Sequence, residues 1–129
     1  MERRILLIAN ETVEARALEE VSRGRSVEVL VIAPALNSRL RHWISDEDDA
    51  RRTAGLRLGR CLQLLGARGI AANGSVGDAD PLLAIGDALH FFDADEIVIA
   101  TRTNGNSHRF ERDLVHRARA RYSRPVRVA

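Results

Sequence analysis

The chain has 129 residues, of which 45% are apolar and 29% charged, with a formal net charge of +2. That size and composition allow a buried core without disulfide staples or a structural metal, and a single cysteine excludes a disulfide framework. All 20 basic residues are arginine, which excludes a Schiff-base lysine and the lysine of a Walker-type phosphate loop; so small a net charge does not by itself argue for nucleic acid, and none is expected as a partner.

Met1 to Arg4 lead straight into the apolar run Ile5 to Ala9, too short for a signal-peptide core or a membrane span, so the expected compartment is the cytoplasm. Arg4 to Asn10 reads as a strand buried on both faces. Thr12 to Ser22 reads as an amphipathic helix, with Val13, Ala17, Leu18 and Val21 on one side and Gly24 beyond its end. Val27 to Ala33 is a second buried strand, which Pro34 is expected to stop. The linker Pro34 to Ile44, carrying His42 and Trp43, is longer than such connections usually are.

Ser45 is placed to cap a helix, with Asp48 completing a capping box. That helix is expected to run to about Leu65 with an apolar stripe of Ala54, Leu58, Cys61, Leu62 and Leu65. Gly55 and Gly59 interrupt it, each at a cost of about 1 kcal/mol relative to alanine; close packing is the expected reason for them. Ile70 to Val76 reads as a weak strand broken by Asn73 and Gly74. Asp80 followed by Pro81 starts a third helix, with Leu82, Ile85, Leu89 and Phe92 on one face. Glu96 to Ala100 is a short buried strand, Thr101 to Asn106 a polar turn, and Ser107 a cap for a last helix over His108 to Tyr122. Pro125 to Val128 is a short final strand.

Strands alternating with helices imply a parallel sheet with right-handed crossovers. The first, second and fourth strands are apolar throughout and belong in the centre; the third and fifth belong at the edges. The simplest arrangement is a single-domain α/β three-layer sandwich over residues 1–129, with a five-stranded parallel sheet of order 3-2-1-4-5 and helices on both faces. The winding reverses between the first and fourth strands, where ligands of such sheets bind. Asn10 to Thr12 form one lip of that crevice and Thr101 to Ser107 the other, where a strand, a glycine turn and a helix start can hold an anion.

In this order and spacing, ILLIANET, the AP end of the second strand, VGDADPLLAI, ADEIVIATR, the GNS turn and the closing PVRV resemble the universal stress proteins. The pattern looks most like a divergent, arginine-rich, actinobacterial-type branch. The resemblance implies the same sheet order, a stress-response role, a homodimer built through the last strand, and, in many members, ATP or AMP as ligand. In binders an Asp after the first strand meets the adenine; here that position is Asn10. The Gly-x-x-Gly phosphate turn reads Ala100, Thr101, Arg102, Thr103, without either glycine. The pair that completes the phosphate site is Asn106-Ser107 behind Gly105, and Thr12 keeps a small hydroxyl. Ala33, at the end of the second strand, joins Asn10, Thr12, Thr101, Arg102, Thr103, Gly105, Asn106 and Ser107 as the ligand-binding set that the resemblance implies. A β-carbon in place of glycine blocks close backbone approach to a phosphate, which a bidentate grip by Arg102 would offset.

The expected function is a binding or regulatory module for a nucleotide or another small anion, without catalytic residues. The alternative is a protein-interaction module with a non-functional nucleotide pocket, acting through the last helix and the Trp43 linker. A third reading is a slow nucleotide hydrolase using Arg102, Ser107 and His108. Several residues have simpler uses. Asn10 and Thr12 can equally cap a helix, and Arg102 and Arg109 can pair with Glu111 or Asp113. Arg109, Arg112, His116 and Arg119 share a helical face, but no aromatic residue interleaves as a nucleic-acid surface would need. Cys61 reads as a buried inert thiol, Asp78 and Asp80 as helix caps, and the histidines show no metal-ligand spacing.

Overall fold

A computed structural model of the chain describes residues 2–10, 19, 21, 26–35, 47–100 and 108–128 and, within these, every side chain but those of residues 47, 48 and 108–111. The described elements are β1 (Arg3–Ala9), β2 (Val27–Pro34), α1 (Glu47–Ala67), β3 (Ala71–Gly77), α2 (Pro81–Leu89), β4 (Glu96–Ala100), α3 (His108–Arg121) and β5 (Val126–Val128). The five strands form one parallel sheet in the order β3-β2-β1-β4-β5, as the strand quality predicts. Of the helix expected over Thr12 to Ser22, Glu19 and Val21 are described; both are helical, and Val21 is buried.

Continuous apolar runs become central strands because both faces of this sheet are covered. Ile5, Leu7 and Ala9 of β1 join Val29, Val31 and Val98 against α1, which contributes Ala50, Ala54, Cys61 and Leu65. Leu6 and Ile8 point the other way, joining Ile32, Ile97 and Ile99 against Leu82 and Ile85 of α2 and Leu114, Val115 and Ala118 of α3. Ile5 to Ile8 are wholly buried, so a helix-period pattern has no place there.

The local signals act as their chemistry requires. The Asp80 carboxylate accepts from Leu82 N–H at 3.0 Å with Pro81 in the first turn, and Asp78 accepts from Asp80 N–H at 2.9 Å. These carboxylates cap the start of α2, as expected. At the end of α1 the chain turns through Gly69, whose φ of +71° suits glycine, while Ile70 N–H donates to Leu65 C=O at 3.0 Å. At the amino end of the sheet the buried Glu96 accepts from Arg127 at 3.0 Å and pairs with Arg3 at 3.5 Å, tying β1, β4 and β5 together away from the crevice.

Three expectations change. The strand expected to stop at Ala33 runs on through Pro34, which stays in register with Gly77 while Ala35 N–H donates to Gly77 C=O; a proline loses only its own donor, and this one faces β1. The third strand, expected to be broken at Asn73 and Gly74, is continuous from Ala71 to Gly77, because Gly74 lets β3 lie closely against Val31 and Leu58. Close packing does explain Gly74, but among the described residues it does not explain Gly55 and Gly59, where an added Cβ meets nothing within 4 Å. Gly55→Ala and Gly59→Ala are therefore expected to stabilise the protein by about 0.5–1 kcal/mol each, read as a higher midpoint in urea.

Cys61 is 1% exposed in the stripe beneath β1 and β2, and burial pushes its thiol from 9.0 up to about 11. The unfolded chain releases this proton first, so stability falls as pH rises through that window, by about 2–3 kcal/mol at its top. Burial also raises the phenol of Tyr122, which donates to Leu82 C=O at 2.9 Å and adds to the loss with the same sign. Urea titrations at increasing alkaline pH should show the fall, and a thiol reagent should leave the native protein unlabelled at neutral pH.

Candidate functional site

β1 and β4 are hydrogen-bonded neighbours, with Ile8 opposite Ile99 and Ala9 opposite Ala100. The two central strands therefore end side by side, and the winding of the sheet reverses between them. Asn10 is the residue that leaves β1 at this point. It is 3% exposed, and among the described residues neither its amide oxygen nor its amide nitrogen has a hydrogen-bond partner. Leaving a buried amide unpaired costs about 1–3 kcal/mol.

Ala33 lies on β2, fully buried, with its methyl group in the cluster beneath α1. Thr12, Thr101, Arg102, Thr103, Gly105, Asn106 and Ser107 lie outside the described residues, as do Ser45, His42 and Trp43. α3 is described from His108 onward.

Arg57 is a residue the sequence reading missed. It lies on α1, three residues after the buried Ala54 and four before the buried Cys61, and is half-buried. Its Nε donates to Ala9 C=O at 2.8 Å and its Nη2 to Pro34 C=O at 2.6 Å. One side of the guanidinium thus spans the carboxyl ends of β1 and β2, next to Asn10. An arginine on an apolar helical stripe was the available signal.

The architecture is similar to that of a universal stress protein from Archaeoglobus fulgidus, at 20% identity over 99% of this chain and 93% of that chain, with a TM-score of 0.56. The chain has the universal stress protein fold. A universal stress protein from Archaeoglobus fulgidus in complex with dAMP shows 15% identity over 99% of this chain and 97% of that one, TM-score 0.55. A universal stress protein family protein from Arabidopsis thaliana with AMP bound shows 14% identity over 98% of this chain and 90% of that one, TM-score 0.51. No protein-family model matches the chain, and no curated protein does.

On this universal stress protein fold, one groove among the described residues lies away from the crevice. This groove of about 230 Å³ lies beside the edge strand β3, between α1 and α2, and includes Arg51, Asp78, Asp87 and Phe91. Two strands, β2 and β1, separate β3 from β4, and the groove shares no residue with the lips read from the sequence. The basic stripe of the last helix is also reduced: the Nε and Nη2 of Arg119 both donate to Val126 C=O, at 3.1 and 2.9 Å. Ile97 N–H bonds Pro125 C=O, so the Val126 carbonyl faces away from β4 and Arg119 covers the outer edge of β5. No helix among the described residues is long and apolar enough to cross a membrane.

Proposed function

We propose that this protein is a ligand-binding or regulatory module of universal stress protein type. Its crevice at the carboxyl ends of β1 and β4 takes a small anionic ligand of the nucleotide class, AMP or ATP foremost, and does not turn it over. The supporting observation is Asn10, buried at the switch point of the sheet with both ends of its amide unpartnered among the described residues. An amide presents a donor and an acceptor side by side, the pattern that the edge of an adenine matches. The dAMP- and AMP-bound neighbours show that proteins of this fold hold such ligands. Thr12 and the turn Thr101 to Ser107 supply the sugar and phosphate side in this reading, with Arg102 in place of the missing glycines. A stress-response role in the cytoplasm and a homodimer through β5 belong to the same proposal; the dimer would have to displace Arg119 from Val126.

The test is mass spectrometry of the freshly purified, denatured protein for a carried nucleotide, followed by thermal shift with millimolar AMP, ADP and ATP. Ligand at about 100 times its dissociation constant stabilises by about 2.7 kcal/mol. A carried nucleotide or a shift of that size supports the proposal. Finding neither would favour the interaction-module reading, in which the last helix and the Trp43 linker meet a partner. Release of product from ATP, abolished by Arg102→Ala, would favour the hydrolase reading.

A further inference from the structure

β3 is an edge strand whose outer side is open. Gly77 stands opposite Pro34, and its C=O accepts from Ala35 N–H. Ala71, Asn73, Ser75 and Gly77 therefore turn their backbone groups to β2. Ala72, Gly74 and Val76 turn theirs outward, since alternate residues of a strand face alternate neighbours. Among the described residues no backbone group bonds these outward N–H and C=O groups. The strand reads AANGSVG, with neither a charge nor a proline to blunt the edge. The other edge of the sheet differs: β5 has three residues, and Arg119 already holds its outward Val126 carbonyl.

The flank of α1 above the β3 edge is cleared as well. Arg57 points from α1 to the ends of β1 and β2. With about 3.6 residues per turn, Gly55, Gly59 and Gly66 lie on the opposite flank. That is the side where Leu58 meets Gly74 and Arg51 lines the groove beside Ser75 and Asp78. A Cβ at any of these glycines would meet nothing within 4 Å, and each glycine lowers the helix propensity of α1.

Edge and flank are self-complementary about one twofold axis. When a second copy pairs antiparallel with β3, Gly74 stands opposite Gly74 of the partner subunit and Ala72 opposite its Val76, so the outward groups exchange their bonds. The axis passes Gly74, and hence Leu58, which lies against it. About an axis between Leu58 and Gly59, Leu58 falls opposite Gly59, Leu62 opposite Gly55, and Arg51 opposite Gly66. Each side chain of the flank thus meets a gap. With α1 seated on β2 and β3 and strands about 4.8 Å apart, the two helices stand roughly 10 Å apart, a packing distance. Charge agrees: Arg68, just before β3, comes beside Asp78 and Asp80, just beyond it. We infer that β3 and the glycine flank of α1 form the surface that binds a second copy of this chain, joining the two sheets into one. A lone extended peptide would satisfy the strand and leave the glycine flank unfilled. This surface replaces β5 as the place of pairing and does not depend on the nucleotide reading.

Sedimentation of the full chain over a range of concentrations tests the inference, and a reversible dimer is expected. Ala72→Pro removes an outward N–H without touching the ladder to β2, and should leave the protein monomeric. Val128→Pro, the matching change on β5, should leave the dimer intact. A wild-type monomer at millimolar concentration, or a dimer lost in Val128→Pro and kept in Ala72→Pro, would overturn the inference. Gly59→Glu tests the flank independently of any strand. A methyl group still fits between helices at that spacing, but a long charged side chain does not. Its side chain enters open space in a single copy, so the circular dichroism spectrum should stay native while the dimer weakens roughly tenfold or more. An undiminished dimer in folded Gly59→Glu would overturn the role of the flank. The register is read by mild oxidation of mixed Asn73→Cys and Ser75→Cys proteins, whose Cα atoms would stand about 4.5 Å apart across the axis. The mixture should form a disulfide-linked dimer faster than either variant alone, and equal rates would overturn the pairing about Gly74.

Discussion

Replacing Asn10 with leucine is expected to raise the stability of the ligand-free protein by about 1–2 kcal/mol while abolishing nucleotide binding. The two side chains are similar in length, and Asn10 is 3% exposed. Leucine removes two buried polar atoms that find no partner among the described residues and adds apolar contact between the ends of β1 and β4. A side chain kept only for packing or capping would behave the other way, losing stability when its amide is removed. Urea denaturation without ligand and calorimetry with AMP read the two effects separately. Opposite signs mark a residue held for function at the expense of the fold. Asn10→Asp makes a second comparison: a carboxylate keeps the acceptor that meets the adenine in binders, so it should retain the AMP binding that Asn10→Leu abolishes.

Gly74→Ala is expected to cost about 2–4 kcal/mol, a large part of the stability of a domain this size. Its added Cβ would stand 2.5 Å from Leu58 Cδ1 and 2.7 Å from the Val31 carbonyl oxygen. The leucine tip can rotate away. The carbonyl cannot, because it belongs to a central strand, so β3 would have to leave β2. The same substitution at Gly55 is expected to stabilise, since its Cβ would enter open space. Comparing the two variants in urea separates steric approach from helix propensity with one chemical change.

That contrast shows what the sequence could and could not say. RILLIA, VEVLVIA and EIVIA were legible as strands because burial on both faces leaves no room for polar residues. The order of the sheet followed, since only the third and fifth strands tolerate an edge. Strand three looked weak because Gly74 carries no side chain to vote in a periodicity; its reason is the approach of Leu58, a contact across the fold. Gly55 and Gly59 look the same in sequence and have no such neighbour. At the site, the position of Asn10 was legible as the end of β1, but its burial without a partner among the described residues was not. Arg57 was hidden for a different reason. Its two carbonyl partners, Ala9 and Pro34, stand far earlier in the chain, and only the packing of α1 over β1 and β2 brings them to it. The lip from Thr101 to Ser107 lies outside the described residues and stays as the sequence proposed it.

The most direct measurement is a proton–nitrogen correlation spectrum of the labelled protein titrated with AMP. The expected result is a set of progressive shifts confined to the strand ends: the backbone and side-chain amides of Asn10, the backbone of Ala9 and Ala100, and the Arg57 Nε signal. Shifts centred instead on Ser75, Asp78 and Phe91 around the β3 groove, or no shifts at millimolar AMP, would contradict a ligand crevice between β1 and β4.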